Sequence, residues 1–271
     1  MSRMGLLLLC ACDQVFGLND VEVRDGPPPP PVCPAIGAPL HLSTTSHLVP
    51  GAHGCAQYTE SRDANLSMMQ CSGVIWGGPI DGTLTAIDLP ALQLPFHYEA
   101  PRLAPEGKVL FVRKVNRISP PSNDFELFIF DGTTWTQTPV SLPSAGTGDL
   151  SSPTSAPNRT MMYADAIATL EELADDGTNT WSMTQTYAAG ALGLLSPTTP
   201  GLSTDGLRMV ITGYPPNGSI TVFYSDRMVR TDRFAAAVPI DNVPGGPFPF
   251  LTDNCDRLYV DTNNDIIYVS Q

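Results

Sequence analysis

The stretch that decides the fold is Pro-Gly-Leu-Ser-Thr-Asp-Gly at residues 200–206, which runs directly into a short apolar segment. Related blocks begin at Pro101, Pro153 and Pro249, so the four prolines stand 52, 47 and 49 residues apart. A copy without the proline occupies residues 58–64 and begins 43 residues before Pro101. A period of about 20 to 50 residues is typical of stacked or radially arranged units. The sequence therefore predicts a repeat architecture.

Each block is interpreted as the turn that starts its unit, and the segments between the blocks indicate strands. Short runs of β-branched and aromatic residues, such as 109–112, are bounded by Asp, Asn, Gly and Pro, and this pattern favours strands over helices. Two units carry a near-identical hairpin, Asp-Gly followed by Thr and Trp, at 131–135 and 176–181. Asp-Gly adopts the positive φ of a tight turn, so the tryptophan is predicted to begin the outer strand.

Residues 163–174 are rich in helix formers, but the repeat register predicts a strand over 169–174. Each unit thus has three or four strands.

Two of the blocks carry a family resemblance. Leu-Ser-Thr-Asp-Gly-Leu-Arg-Met-Val-Ile at 202–211 and Leu-Ala-Pro-Glu-Gly-Lys-Val-Leu-Phe at 103–111 resemble the Ser-Pro-Asp-Gly signature, followed by an apolar strand, of TolB-like, WD-repeat-like β-propellers. The resemblance covers residues 55–271, although Asn158-Arg159 and Asn254-Cys255 replace the acidic residue and glycine in two copies. It implies an all-β propeller of five blades, with a sixth, irregular blade between residues 38 and 60 as the alternative.

The last unit ends at Gln271 after its third strand, so one outer strand is missing. An unpaired strand beside the closing blade would expose backbone donors and acceptors. Residues 39–49 alternate in polarity well enough to supply that strand. The resemblance to propellers implies that the ring closes through this N-terminal strand.

The N-terminal region indicates export. Arg3 precedes an apolar run that ends in Cys10-Ala11-Cys12, as in a signal peptide, and the segment resembles the bacterial lipobox. Cys12 follows a small residue and Cys10 does not, so Cys12 is the predicted lipidation site. The predicted organisation is a lipoprotein signal peptide over 1–11, a lipidated, proline-rich tether over 12–37 and a propeller over 38–271. No other run approaches the ~18 apolar residues of a membrane span, so the lipid is the only predicted membrane contact.

Four cysteines remain in the mature chain. An even number in an exported protein is compatible with two disulfides, although four cysteines allow three pairings. We favour Cys55 with Cys71, which would bracket the opening strands of the first repeat. The other pair, Cys33 with Cys255, would tie the N-terminus to the last repeat.

The search for reactive groups is mostly negative. His41, His47 and His53 recur every six residues, but no carboxylate or cysteine stands at zinc-site spacing, so we expect surface histidines. Residues 261–265 imitate the start of a calcium loop but lack its glycine and glutamate, and a polar hairpin explains them better. No phosphate-binding loop or nucleophile elbow is present. We therefore expect no catalytic residue, cofactor or metal.

The acidic residues of the repeat blocks have two interpretations. Asp63, Glu106 and Asp205 either bind backbone amides within their turns or line the channel as a general acid and base, which must lie within about 5 to 10 Å of each other. Their recurrence at one register favours the structural role.

The sequence thus predicts a lipid-anchored envelope protein, in the periplasm or on the outer membrane, whose propeller binds or scaffolds without catalysis. Its partner is an unidentified envelope protein or glycan; the net charge of -13 argues against nucleic acid and anionic lipid. The alternatives are a secreted glycosidase-like enzyme on a five-bladed propeller, and a diverged lipoprotein with neither role.

Overall fold

The computed structural model describes residues 33–92, 96–116, 122–143, 148–165, 169–188, 190–215, 218–262 and 264–271. The described residues form twenty β-strands and no helix, so none of them belongs to a helix that could cross a membrane. The predicted signal peptide, Cys10, Cys12 and the proline run lie outside the described residues.

The strands form five four-stranded antiparallel sheets, each of which is one blade of a propeller. The first strand of the described residues is β1 (Ser46–Leu48), which belongs to the last blade. Blade 1 contains β2 (Cys55–Ser61), β3 (Leu66–Cys71), β4 (Val74–Gly78) and β5 (Thr85–Ala86). Blade 2 contains β6 (Phe96–Leu103), β7 (Val109–Asn116), β8 (Ser122–Phe130) and β9 (Trp135–Thr138). Blade 3 contains β10 (Asp149–Leu150), β11 (Thr160–Ala164), β12 (Leu170–Asp175) and β13 (Trp181–Tyr187).

The last two blades complete the ring. Blade 4 contains β14 (Ser196–Leu202), β15 (Arg208–Tyr214), β16 (Thr221–Asp226) and β17 (Val238–Pro239). Blade 5 contains β18 (Phe250–Leu251), β19 (Arg257–Asp261) and β20 (Ile266–Ser270), with β1 as its outer strand. Five blades and closure by an N-terminal strand are therefore confirmed. The alternative of a sixth blade between residues 38 and 60 is wrong, because that segment is shared between blade 5 and blade 1.

The ring closes where β1 pairs antiparallel with β20, with Ser46 opposite Val269 and Leu48 opposite Ile267. The described residues before β1 are also attached to the ring. Leu40 is buried in the core between blades 4 and 5, and the Gly37 amide donates to Asp226 at 2.9 Å.

Two disulfides join the cysteine pairs favoured from the sequence. One links Cys33 to Cys255 across 222 residues and so attaches the N-terminal segment to blade 5. The other links Cys55 to Cys71 across 16 residues, at directly opposite positions of β2 and β3. The first crosslink spans the closure of the ring, and the second lies within one blade.

Five hydrophobic cores lie between neighbouring blades, one at each interface. Successive residues of a strand point to opposite faces of its sheet. Leu110 thus packs between blades 1 and 2, while Phe111 packs between blades 2 and 3. Met209 and Val210 likewise belong to the two cores on either side of blade 4. Burial on both faces explains why these strands are continuous apolar runs in the sequence.

The repeat block has a different position from the one predicted. It was expected to form a turn that starts each unit, but Pro101 and Pro200 lie inside the innermost strands β6 and β14. Proline has no N–H to donate, so it is tolerated on a strand with one unpaired edge, and the innermost strand of a blade has such an edge. The turn follows the block's first half, so each block joins the innermost strand to the second strand.

A positive φ recurs directly before the block's proline. It occurs at Ala100, Thr199 and Phe248, with φ of 50°, 41° and 56°. Gln57 takes this position in blade 1, with φ of 64°. The strand pairing slips at this place in blades 1, 2 and 4, as expected for β-bulges, which re-aim nearby side chains.

The remaining local predictions are confirmed. Residues 170–174 of the helix-prone stretch belong to β12, because pairing with strands on both sides outweighs helix propensity. The two Asp-Gly hairpins join the third and fourth strands, with φ of 103° at Gly132 and 90° at Gly177. Trp135 and Trp181 begin the outer strands β9 and β13, as predicted.

We expect removal of the Cys33–Cys255 crosslink, by Cys33→Ser with Cys255→Ser, to lower the free energy of unfolding by roughly 3 to 5 kcal/mol. The reason is that the unfolded chain gains conformational entropy when this long loop is no longer closed. Urea unfolding measures this change. Hydrogen exchange should also accelerate at the amides of Ser46–Leu48, since β1 loses its nearest covalent anchor. The matched control is Cys55→Ser with Cys71→Ser, which should leave exchange in β1 unchanged. Unchanged protection of β1 in the first variant would contradict this account of closure.

Candidate functional site

The innermost strands surround the axis of the ring and all run in one direction along it. We call the end at which they begin the front, and the end at which they turn into the second strands the back. Ligand sites on such a ring lie in the channel, at its two mouths or in the grooves between blades.

The channel is closed by side chains of its own innermost strands. The Thr59 hydroxyl of blade 1 lies 3.1 Å from that of Ser152 in blade 3, although these two blades are not neighbours in the ring. The same Thr59 oxygen accepts the Leu103 amide of blade 2 at 3.2 Å. The Thr59 hydroxyl therefore contacts two other blades. At this level blades 1 and 3 touch across the channel through a single hydrogen bond.

In front of this closure, Arg102 of blade 2 crosses the channel. Its Nε donates to the Leu150 carbonyl of blade 3 at 2.5 Å, and its guanidinium lies 5.8 Å from the centre of the Phe248 ring of blade 5. Burial lowers the pKa of Arg102 to about 10, so the side chain is still a cation at neutral pH. Beside it, Gln57 of blade 1 accepts the Ala100 amide at 2.6 Å.

Carboxylates surround the front half of the channel, and the protein's own groups bind them. Arg113 donates to Glu99 at 3.1 Å and to Asp149 at 3.0 Å. Burial raises the pKa of Asp149, although Arg113 and Arg102 act in the opposite direction. Asp261, at the end of β19, accepts the Gln57 amide at 2.8 and 3.1 Å. Burial raises the pKa of Asp261 to about 7.

The acidic residues of the repeat blocks lie at the back. Asp205 accepts the Ser203 hydroxyl at 2.7 Å and the Leu207 amide at 2.9 Å, so at this position the predicted turn role is confirmed. Glu106 instead pairs with Arg159 of the neighbouring blade. Asp63 is exposed, and no hydrogen bond to its side chain is found among the described residues. The three carboxylates do not line the channel interior, because they lie in the turns that follow the innermost strands.

Asp253 occupies the corresponding turn of blade 5. Its pKa is raised to about 7, first by burial and then by the negative charges of Glu60, Asp63 and Asp205. Glu60 is occupied by bonds from the hydroxyls of Tyr58 and Tyr259 and from Arg62. The back mouth is therefore acidic.

The predicted histidines do not converge. His41 is exposed, His47 stacks on Tyr268 with ring centres 5.2 Å apart, and His53 binds Asp265 at 3.0 Å. Residues 261–265 connect β19 to β20, as the hairpin interpretation predicted. Within the described parts of the chain, no three His, Cys, Asp or Glu side chains are placed to hold a metal ion.

The most apolar groove lies between blades 1 and 2 and has a volume of about 500 Å³. Half-buried Trp135 forms one side, tilted against Phe130 with ring centres 5.0 Å apart. We call it the Trp135 groove, and its other main lining residues are Leu66, Met68, Ile87, Glu106 and Lys108. Glu106 and Lys108 also line a more polar groove of about 600 Å³ between blades 2 and 3. The two grooves adjoin at the turn that carries these residues.

A third groove, of about 470 Å³, lies beside the other face of blade 1 and contains Trp76 and His53. The outer strand β5 of blade 1 has only two residues. Blade 1 is thus narrow at its rim, with a tryptophan in the groove on each side. The sequence analysis missed these grooves, because Trp135 was interpreted only as the start of a strand.

Comparisons with known proteins agree on the fold. No protein-family model and no curated protein matches the sequence. Among solved structures, TolB from Acinetobacter baumannii is similar with a TM-score of 0.50 and 11% identity, over 81% of this chain and 55% of that one. A bifunctional GH43-CE protein from Bacteroides eggerthii has a TM-score of 0.57 and 13% identity, over 84% and 34%. An endo-arabinase from Bacteroides thetaiotaomicron has a TM-score of 0.53 and 9% identity, over 86% and 97%.

The chain therefore spans about half the length of that TolB structure and about a third of the GH43-CE protein. At these identities the likeness concerns the fold alone. The β-propeller fold that the resemblance of the repeat blocks to TolB-like propellers implied is confirmed.

Proposed function

We propose that this protein is a lipid-anchored envelope protein whose propeller is a non-catalytic binding module, with the Trp135 groove as its binding surface. The partner is an envelope protein or a glycan. The observation that carries the proposal is the division between a channel blocked by the contact of Thr59 with Ser152 and grooves that remain open at the rim.

The blocked channel argues against an extended substrate site along the axis. Thr59 and Ser152 block it, and the carboxylates in front of them bind Arg113 or the Gln57 amide. A general acid and base must reach the reacting atoms directly. Carboxylates held in this way stabilise the ring instead.

The Trp135 groove has the character of a binding surface. It combines an aromatic face and apolar side chains with a few charged groups at its edge, which is the usual composition of ligand sites. Tryptophan contributes disproportionately to the affinity of such surfaces. Trp135 also lies on a strand rather than a loop, so it is held in place before binding.

Export is supported by the cysteines. Two disulfides in the described chain are typical of proteins that fold in an oxidising compartment. The lipobox-like segment that ends in Cys12 accounts for both export and attachment to the membrane.

In protein that carries Cys12→Ser and so lacks the lipid, we expect Trp135→Ala to weaken retention on washed cell envelopes by about tenfold or more, since a central tryptophan supplies much of the affinity at such sites. Co-sedimentation measures the retention. Protease treatment of the envelopes beforehand separates the two partner classes: retention persists for a glycan and disappears for a protein. Tyr214→Ala is the matched control, because Tyr214 is an exposed aromatic residue of blade 4 outside the groove. Equal retention with and without Trp135→Ala would exclude this groove as the binding surface.

Metabolic labelling with radioactive palmitate is expected to mark the protein in a bacterial host, and Cys12→Ser should abolish both the label and membrane attachment. Cys10→Ser is the matched control and should keep both. Labelling that survives Cys12→Ser, or no labelling of the wild type, would contradict the anchor.

A second candidate function, glycoside hydrolysis, is favoured by one observation. Glu99 and Asp149 are held by the same guanidinium at the front of the channel, and the pKa of Asp149 is raised. Paired carboxylates, one with a raised pKa, are what glycosidases require. The ion pairs with Arg113 weigh against this function, because the guanidinium occupies both carboxylates and acts against the rise in the pKa of Asp149.

We expect the wild-type protein to release no reducing sugar from a panel of plant and bacterial glycans. Release that is lost in Asp149→Asn, and retained in the exposed control Asp241→Asn, would instead establish the enzyme. Melting temperatures of both variants check that the fold is intact.

A further inference from the structure

Arg102 differs from the other deeply buried arginines of the described chain. Three arginines have 5% or less of their surface exposed: Arg102, Arg208 and Arg227. Arg208 donates to both carboxylate oxygens of Asp226 at 2.7 Å, and Arg227 donates to both oxygens of Glu172 at 2.8 Å. No carboxylate of the described residues lies within ion-pair distance of Arg102. Buried arginines are almost always paired, so Arg102 is the exception.

The hydrogen bonds of Arg102 leave one side of the guanidinium open. Nε donates to the Leu150 carbonyl, and Nη1 donates to the Pro101 carbonyl at 3.0 Å. Nη2 donates to no atom of the described residues. One N–H of Nη1 and both N–H groups of Nη2 therefore have no partner among the described residues, and neighbouring N–H groups of a guanidinium can bind the two oxygens of a carboxylate.

The surroundings define a blind site in the channel. Phe248 lies against the guanidinium from blade 5. Behind Arg102, the contact between Thr59 and Ser152 closes the channel. The side-chain nitrogen of nearby Gln57 also has no partner among the described residues, because only its oxygen is bonded, to the Ala100 amide. The open donors thus lie in front of the closure, and Arg102 Nη2 is not among the fully buried, unpartnered side-chain nitrogens of the described residues, so it is accessible to a small molecule.

We propose that the channel binds a small carboxylate anion, of the size of formate or acetate, through the open side of the Arg102 guanidinium. A planar carboxylate matches these N–H groups in the way that Asp226 and Glu172 match the other two buried arginines. The bound anion would compensate a buried cation, which is otherwise costly. This site is independent of the Trp135 groove and of any partner bound there.

Nearby charges predict a modest affinity. Asp149 and Asp261 oppose the anion, while Arg113 favours it, and all three are close enough to influence Arg102. A dissociation constant in the millimolar range is therefore expected. The size of the ligand is limited because little of Arg102 is exposed, so benzoate is expected not to bind.

The test is a thermal melt of the purified full-length protein in sodium formate, with formamide as the neutral ligand of the same shape. At ten times the dissociation constant, formate should raise the melting temperature of the wild type by about 3 to 6 °C, and the effect should saturate. Formamide and benzoate should not produce a saturable rise. Arg102→Met should abolish the formate effect.

The matched control is Arg230→Met, which removes the same charge from a half-buried arginine outside the channel whose donors also bind backbone carbonyls. It should respond to formate like the wild type, which separates binding from a general effect of salt. If Arg102→Met does not fold, NMR of the wild type replaces it, with the Arg102 Nε–H signal identified by its proximity to the Phe248 ring. A saturable shift of that signal with formate alone would support the proposal. An equal response of Arg102→Met and Arg230→Met, or no saturable shift at Arg102, would overturn it.

Discussion

The whole ring depends on the pairing of a three-residue strand with the last strand of the chain. Without β1, blade 5 would expose the outer edge of β20, whose unpaired amides and carbonyls are costly to bury and prone to pair with other chains. Three residue pairs are too few to hold a strand by themselves. The Cys33–Cys255 crosslink, the buried Leu40 and the bond from Gly37 to Asp226 supply the remaining attachment. Closure is thus a property of residues 33–48 acting together.

Much of this architecture could be predicted from the sequence. A propeller repeats one structural unit, and the repetition appears in the sequence as similar blocks at near-constant intervals. The period of the proline blocks, the Asp-Gly hairpins and the missing last strand led to five blades and to their closure. The position of the block within the unit was not predictable in the same way. A proline suggests a turn, and only the unpaired edge of an innermost strand explains why Pro101 and Pro200 lie within strands.

The candidate sites were less accessible to sequence reasoning, since they depend on residues far apart in the chain. Thr59 and Ser152 block the channel, yet neither carries a sequence signal, and they meet only because blades 1 and 3 face the same axis. Arg102 was part of a recognised block, but its missing carboxylate is apparent only beside Arg208 and Arg227. Trp135 was correctly placed at the start of a strand, while the groove around it arises from the short outer strand of blade 1.

The long separation of the closing elements also sets the order of folding. Blades 1 to 4 contain their own four strands and can assemble as each is synthesised, but Cys33 and β1 must wait for partners about 220 residues downstream. At about 5 to 20 residues per second, that interval is roughly 10 to 45 seconds. During this time the first segment of the folded body has nothing to pair with, and the last blade to emerge determines when the molecule becomes a closed ring.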